Sequence, residues 1–383
     1  MKIRATSPVI FCCLAALFLP ADLKSEKSLA DIYKSGNVRI VQEMKIDESS
    51  MPKDTYFEGY LRVACDDKGF VYVCDYKANN IKKFDSSGKF VKTIGRQGQG
   101  PGEFAMPYEI AASADRLFVW ELGNRRLSVL TLDGEFLKAE NIQFSEGQPH
   151  KIRPLPNGDV ILEREKIYFD DQEKPQDCSI EVYSPPLEQK KIIYAQSVWR
   201  NRYRIIESMG TNIIQPFSPL VYWDVSPDGR IVIGYSKNYE IAIFGAERGK
   251  ISSFSHAFDP VKVTDKDKEA FFAGMTFSSG GAVKQGAPDF IIKCTEFPKT
   301  KPPFFNLIVD SEGNILVFPH RQNRDEENNN FDAFDPEGKF IANVQIVEGG
   351  PFPYGAAIKE RTFWAGGADE EGLMKVFKYR ISE

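Results

Sequence analysis

Residues Gly69–Phe104 read GFVYVCDYKANNIKKFDSSGKFVKTIGRQGQGPGEF. Apolar residues alternate around Val71 and Val73, and a second apolar run ends at Phe84, so two short strands are predicted. The cluster Asp-Ser-Ser-Gly at 85–88 predicts a turn, and the apolar residues that follow it predict a third strand. This stretch therefore consists of short strands joined by tight turns.

The segment IGRQGQGPGEF at 94–104 contains four glycines and an arginine, a composition that also occurs in phosphate-binding loops. A phosphate loop needs a helix after the glycines, whereas the sequence PYEIAAS that follows at 107–113 predicts a strand, and the Gly-Lys-Ser/Thr of a Walker loop is absent. We therefore expect a connector whose glycines adopt positive φ and whose Phe104 wedges between two sheets. Arg96 and Gln97 are its only candidate ligand contacts.

The strand–turn–strand pattern recurs along the chain. Asp115–Ile142 repeats it without a gap after Glu121, and Gly134 stands where Gly88 stood. A large apolar residue marks each unit, at Phe84, Leu130, Tyr183, Phe244, Phe334 and Phe377. Each unit also has a further short apolar segment before it, which makes four strands, named a to d. Four-stranded units repeated six times predict an all-β fold, a six-bladed β-propeller of antiparallel blades.

The last unit stops after its third predicted strand, and the orphan strand Asn37–Ile46 precedes the first unit. We expect this N-terminal strand to close the ring as the missing outer strand of the last blade, which removes exposed sheet edges. The propeller would thus cover residues 37–383. The long interval before Phe334 indicates an insertion at 259–301, between blades four and five, with a short helix at Thr264–Met275 and a flexible loop.

The N-terminus carries the signature of an export signal. Lys2 and Arg4 precede the apolar run Val9–Leu19, which is too short to span a bilayer but suits a signal peptide of about residues 1–25. The alternative is a lipoprotein acylated at Cys12 or Cys13, which the very short apolar stretch before them disfavours. We expect an exported protein, periplasmic or on the cell surface, with no transmembrane segment.

Composition argues against a nucleic-acid partner and leaves the disulfide state of the cysteines open. The net charge is −5 and the pI about 5.6, so an extended nucleic-acid surface is not expected. After the signal, Cys65, Cys74, Cys178 and Cys294 remain, with no CxxC motif and no evident disulfide pair. Buried free thiols are the simpler interpretation.

The stretch Gly69–Phe104 resembles the NHL-repeat class of six-bladed propellers. In that class an acid, an asparagine and an arginine precede the third strand, and a glycine-rich connector follows. Unit two matches with Glu121, Asn124 and Arg126, whereas unit one keeps Asp75 but has Ala78 and Asn80 at the other positions. The whole chain also resembles exported bacterial six-bladed β-propeller proteins. This resemblance implies the fold and leaves the function open, because propellers host both binding and unrelated chemistries.

Enzymatic chemistry is the less favoured interpretation. The three histidines, His150, His256 and His320, do not occupy equivalent repeat positions, and no zinc motif joins them. Calcium-dependent propeller hydrolases use acids and amides at the central channel, a role open here to Glu58, Glu109, Asp224 and Asn306. We expect no cofactor, with calcium as the alternative.

Candidate binding residues fall into two groups. In SVWRNRYRIIE at 197–207, three arginines alternate with polar residues after a tryptophan, and an exposed strand with solvated arginines is the simpler alternative. Residues near the inner strands form the mouth of a channel. The candidates are Tyr108, Glu109, His150, Trp199, Arg200, Arg202, Arg204, Tyr222, His320, Arg321 and Tyr354. We expect a monomeric, non-catalytic module that binds a protein, peptide or glycan on the face of the d–a and b–c connections, and the alternative is a calcium- or zinc-dependent hydrolase or lyase at the channel.

Overall fold

The computed structural model describes residues 27–383 apart from 144, 146, 167, 169–173, 185–188, 199–200, 207–208, 280–281, 323–328, 350–351, 353–357 and 370. The predicted signal peptide lies outside the described residues. The part that is described is mostly β-structure, with a few short helices. No helix in these ranges is long and apolar enough to cross a membrane.

The chain begins with a short helix and a long strand, α1 (Leu29–Tyr33) and β1 (Asn37–Ile46). Antiparallel sheets of four strands follow, each in the order of the chain. Blade one comprises β2 (Leu61–Cys65), β3 (Val71–Asp75), β4 (Asn80–Phe84) and β5 (Phe90–Ile94). Blade two comprises β6 (Pro107–Ala112), β7 (Arg116–Glu121), β8 (Arg126–Thr131) and β9 (Phe136–Asn141). Blade three comprises β10 (Gln148–Pro154), β11 (Val160–Lys166), β12 (Gln176–Ser184) and β13 (Gln189–Val198).

The second half of the chain adds two excursions to this pattern. They are a hairpin before blade four and a helical insertion before blade five. The hairpin consists of β14 (Asn201–Ile206) and β15 (Met209–Ile214), and blade four of β16 (Val221–Val225), β17 (Arg230–Tyr235), β18 (Glu240–Gly245) and β19 (Gly249–Ser255). The insertion contains α2 (Asp265–Ala273), β20 (Thr276–Ser279), β21 (Ala282–Gln285) and α3 (Asp289–Cys294). Blade five consists of β22 (Phe304–Val309), β23 (Ile315–Pro319), β24 (Asn330–Phe334) and β25 (Phe340–Glu348), and the last two strands are β26 (Thr362–Ala368) and β27 (Met374–Ser382).

The N-terminal strand pairs with the C-terminal one. β1 runs antiparallel to β27, with Ile40 opposite Ile381 and Ile46 opposite Val376, and its first residues run parallel to the end of β25. Among the described residues, blade five, β1, β27 and β26 form one seven-stranded sheet in the order β22-β23-β24-β25-β1-β27-β26, so β26 is its edge strand. The further strand that we expected inside β26, at about residues 354–360, lies mostly outside the described residues. Lys359 and Thr362 close a turn just before β26, and β26 itself packs against β2.

In the second strand of a blade, alternate side chains pack into two different apolar clusters. In β3 every residue is buried: Val71 and Val73 pack with Ile46 of β1, whereas Tyr72 and Cys74 face the cluster that contains Phe104. A sheet that is covered on both faces has this pattern of burial, since each face meets a neighbouring sheet. The core is therefore a series of apolar layers between successive blades.

The glycine-rich segment at 94–104 is a connector, as the sequence predicted. It leads from β5 of blade one to β6 of blade two, and Phe104 is completely buried between them. Gly95 has φ of +74°, and a Cβ atom there would lie 2.2 Å from the Phe104 ring. Arg96 is engaged with Glu103, its Nε 3.0 Å from Oε1.

Blade two holds this connector through the residues that carry the family resemblance. The Arg126 guanidinium donates to the carbonyl oxygens of Gln99, Gly100 and Glu103 at 2.8–3.0 Å, and its Nε donates to Glu121 at 2.9 Å. Asn124 Nδ2 donates to the Gly98 carbonyl at 3.0 Å. The acid, asparagine and arginine are thus structural here, because they satisfy the backbone of a loop with few bonds of its own.

The insertion contains the predicted helix and a second one. Thr264 caps α2 in a capping box with Asp267. Asp267 Oδ1 also forms a buried ion pair with Lys301 Nζ, at 2.9 Å, which connects α2 to the start of blade five. Cys65, Cys74, Cys178 and Cys294 are free in the structure, and Cys65 and Cys74 are not opposite each other in the β2–β3 pair.

Candidate functional site

A cavity of about 1240 Å³ lies among the first strands of the blades. Strands β2, β6, β10, β16 and β26 and the end of β22 all contribute to its lining, together with the a–b turns that follow them. These turns form its mouth, so the cavity opens on the face opposite the d–a and b–c connections that we expected to bind a ligand. It is somewhat larger than the range of about 300–1000 Å³ that is typical of small-molecule sites.

The first polar feature of this cavity is an ion pair between blades one and two. Arg62 Nε lies 3.0 Å from Glu109 Oε2, and both side chains are mostly buried. Burial raises the pKa of the Glu109 carboxyl, and Arg62 opposes this effect in part. The Arg62 guanidinium also lies 4.5 Å from the centre of the Tyr60 ring, which stacks on Tyr108. The two tyrosines therefore fix Arg62 in its position beside Glu109.

The second feature joins blades three, four and five. Asp224 Oδ1 accepts from Arg153 Nε at 2.9 Å, while Oδ2 accepts from the backbone N–H of Val309 at 3.1 Å. Lys151 Nζ lies 3.6 Å from Asp224 Oδ1 and donates to the backbone carbonyl of Trp223. Although burial raises the pKa of Asp224, Lys151 and Arg153 outweigh that effect and hold it below its usual value.

Lys151 is the least well accommodated charge in this group. Its side chain is 8% exposed, and burial lowers its pKa to about 8, with Asp224 opposing the shift and Arg153 adding to it. The ammonium has three N–H donors, and it lines the cavity while donating to one carbonyl. Burial of this charge costs folding free energy, and buried groups with a shifted pKa are concentrated at functional sites.

Two of the predicted site residues, Glu109 and His150, lie in this cavity. His150 Nε2 is 3.2 Å from Glu165 Oε2, so the imidazole is held against the wall of blade three. Tyr108 stacks at the edge of the Arg62–Glu109 pair, while Tyr222 packs on Phe304 between blades four and five. Tyr222 therefore belongs to the core.

The three histidines lie in two separate places. His256, His320 and Arg321 line a groove of about 370 Å³ between blades four and five, away from the central cavity. In this groove Asp332 accepts hydrogen bonds from Tyr239 at 2.6 Å and from Asn343 at 2.8 Å. His256 stacks on the exposed ring of Phe340, with ring centres 4.8 Å apart.

The remaining candidates are less informative. Trp199, Arg200 and Tyr354 lie outside the described residues. Arg202 and Arg204 lie two residues apart on β14, which pairs only with β15 in its sheet of the described chain. The described part of the arginine-rich stretch thus belongs to two strands, the end of β13 and β14.

The acids considered for calcium do not form a cluster. Glu109 is paired with Arg62 and Asp224 with Arg153, Asn306 Oδ1 accepts from the N–H of Leu307, and Glu58 is exposed. Within the described ranges, no group of three or more His, Cys, Asp or Glu side chains is placed to hold a metal ion. A cation adjacent to each carboxylate disfavours a divalent ion at the same place.

Sequence reasoning missed Arg62, Lys151 and Arg153. A signal exists: Arg62, Glu109 and Lys151 each stand four residues before the residue whose N–H closes the a–b turn, at Asp66, Ser113 and Leu155. Charged residues at one repeated position of otherwise apolar inner strands indicate a shared environment. Their pairing across blades is a property of the assembled sheets.

Comparison with known proteins supports the fold. Residues 53–195 match a family described as 6-bladed beta-propeller. A Bacteroides fragilis protein described as exported is 13% identical, with a TM-score of 0.50 over 94% of this chain and 98% of that one. A member of the DUF4221 family from Bacteroides vulgatus is 12% identical, with a TM-score of 0.50 over 91% and 99%.

Similarity to enzymes of this fold is weaker. A gluconolactonase from Xanthomonas campestris is 10% identical, with a TM-score of 0.42 over 89% of this chain and 95% of that one. No curated protein matches the sequence. The comparisons and the sheets together show a β-propeller, a fold that by itself does not identify a function.

Proposed function

We propose that this chain is an exported six-bladed propeller of the NHL-repeat type that binds a ligand in its central cavity without transforming it. β1 closes the ring, and the predicted signal at residues 1–25 directs export to the periplasm or the cell surface. The monomer suffices for binding, because one chain supplies all the strands around the cavity.

One observation carries the proposal: the cavity is lined by charged groups that already have partners on neighbouring blades. The pairs Arg62–Glu109 and Arg153–Asp224 hold donors and acceptors in fixed positions with the hydrogen bonds at 3.0 and 2.9 Å. Fixed polar groups in a concave site favour binding, since little conformational entropy is lost when the ligand arrives. The expected ligand is a polar molecule such as a saccharide or a short peptide.

A hydrolase that uses calcium or zinc remains the alternative, and the contacts in the cavity count against it. Glu109 and Asp224 would have to exchange their guanidinium partners for the metal. The guanidinium groups would then lie unpaired beside a divalent cation, which is electrostatically unfavourable.

A thermal-shift screen of saccharides and short peptides tests the binding function, with two arginine variants as the comparison. Arg62→Gln removes an ion pair inside the cavity, and Arg96→Gln removes an exposed Arg–Glu pair of equal length outside it. We expect at least one compound to raise the melting temperature of the native protein and of Arg96→Gln but not of Arg62→Gln. Equal shifts in both variants, or none in the native protein, would contradict the proposal.

Hydrolase activity, the alternative function, is tested in a separate assay. The purified protein is incubated with calcium or zinc and a panel of lactones and esters. Turnover that disappears in Glu109→Gln would overturn the non-catalytic assignment, whereas the proposal predicts no turnover above background.

A further inference from the structure

Five charged residues line the central cavity around its two ion pairs. Among its lining residues around the ion pairs, Arg62, Lys151 and Arg153 are cationic, and Glu109 and Asp224 are acidic. Each acid is engaged by an arginine at about hydrogen-bond distance. Lys151 is left with the more distant contact, 3.6 Å, to an Asp224 oxygen that Arg153 already occupies at 2.9 Å.

Four charged residues act most strongly on the Lys151 ammonium. Arg153 is on the same strand, Asp224 on β16, Glu109 on β6 and Glu163 on β11. Glu163 accepts the indole N–H of Trp223 at 2.8 Å and does not line the cavity. The Lys151 ammonium lies 4.9 Å from the Trp223 ring centre and donates to that residue's carbonyl. Lys151 lines the cavity, so a ligand oxygen there can accept hydrogen bonds from its remaining N–H donors.

We propose that the central cavity recognises a small ligand that carries a carboxylate, which binds at Lys151 and Arg153. This inference rests on the proposed binding function and specifies its ligand class. A carboxylate offers two oxygens to two cationic donors, and hydrogen bonds between charged groups are stronger than those between neutral ones. Acid sugars and simple organic acids share this chemistry.

Galacturonate and galactose form a matched pair of probes, because they differ only in the carboxylate that replaces the terminal hydroxymethyl group. By isothermal titration at pH 7 we expect galacturonate to bind about tenfold or more tightly than galactose, as charge-assisted hydrogen bonds are stronger than neutral ones. Citrate in a parallel titration distinguishes the sources: tighter binding of citrate identifies an organic acid, and tighter binding of galacturonate an acid sugar.

Two lysine variants localise the effect. Lys151→Met keeps the length of the side chain and removes the charge, whereas Lys250→Met removes a half-exposed lysine on an outer strand. We expect Lys151→Met to lower the affinity for galacturonate about tenfold and to leave galactose within about twofold. Lys250→Met should change neither. A cooperative unfolding transition for each variant shows that the protein is folded.

Proton uptake gives a readout that a purely structural role would not move. The Lys151 pKa of about 8 leaves the amine half protonated at pH 8, and an anion beside it raises that pKa. Binding of galacturonate at pH 8 should therefore take up protons, measured as a binding enthalpy that depends on the ionisation enthalpy of the buffer. Lys151→Met should abolish the uptake, which separates Lys151 from Glu109.

Three results would overturn the inference. They are equal affinity for galacturonate and galactose, no binding of any of the acids, and galacturonate affinity that Lys151→Met does not change. If both sugars bind equally and both are lost in Arg62→Gln, the cavity is a binding site and only the carboxylate assignment fails. The two proposals are therefore distinguishable.

Discussion

At the scale of single residues, Arg126 determines the shape of the connection between blades one and two. Its guanidinium holds three backbone carbonyls of the glycine-rich segment and pairs with Glu121, which is fully buried. A neutral side chain of similar size would leave a buried carboxylate without its cation. That loss is among the most destabilising changes a single substitution makes.

Arg126→Gln should therefore lower the free energy of unfolding by about 3–5 kcal/mol, as is typical when one partner of a buried ion pair is removed. Arg96→Gln, which alters a guanidinium that is 82% exposed in the same connector, should change it by no more than about 0.5 kcal/mol. Urea denaturation followed by tryptophan fluorescence measures both. Similar losses in the two variants would show that the connector is not held through Arg126.

Lys151 gives stability a dependence on pH. Its pKa falls from the ordinary value of 10.5 to about 8 on folding, so between these values the unfolded chain binds more protons than the folded one. Stability contributed by this residue therefore rises as pH increases from 8 to 10.5, and below pH 8 the full cost of the buried charge is present.

The stability of the native protein relative to Lys151→Met should consequently rise between pH 7 and pH 10, by an amount on the order of 2–3 kcal/mol. Comparing the two proteins at each pH cancels the titration of tyrosines and cysteines, which both contain. The Lys250→Met variant, altered at a half-exposed lysine, should show a flat difference in the same urea experiments. A flat difference for Lys151→Met as well would mean that this amine is not desolvated.

At the scale of elements, β1 joins the two ends of the chain. Ile46 is fully buried opposite Val376, whereas Val41 on the same strand is 39% exposed. If β1 is an integral strand of the last sheet, its buried face should contribute as much as any core strand. A loosely attached N-terminal arm would contribute little.

Ile46→Ala should destabilise the whole protein by about 2–4 kcal/mol, because it leaves a cavity in a packed layer. Val41→Ala, on the outward face, should cost less than about 1 kcal/mol. Both are measured by the midpoint of a single urea transition. Loss of cooperativity without a shift of the main transition in Ile46→Ala would indicate that β1 unfolds independently of the blades.

Elements with local signals were predictable from sequence, and those defined by distant contacts were not. The Thr264 cap and early acids indicated α2, and the periodicity of residues 37–46 indicated β1. The short helix α1 was missed, because five residues carry little periodicity of their own. It is stabilised by tertiary contacts, such as the hydrogen bond from the Tyr33 hydroxyl to Asp310 at 3.1 Å.

At the scale of the whole molecule, the blade pattern was predictable because each unit repeats its own turn and apolar markers. The position of β26 beside β2 was not, since it depends on how the two chain ends meet. The site was only partly predictable for the same reason. Glu109 and His150 were identified, but the ion pairs join residues far apart in sequence, Arg62 with Glu109 and Arg153 with Asp224, which meet only around the cavity.

The central claim is that six blades surround one cavity that binds an acidic ligand at Lys151 and Arg153. A crystal structure of the protein with galacturonate tests it most directly. The account predicts six radial sheets closed through β1, and a sugar whose carboxylate contacts Lys151 Nζ and the Arg153 guanidinium. A different number of blades, or galacturonate bound only outside the cavity, for example in the groove at His256 and Arg321, would contradict it.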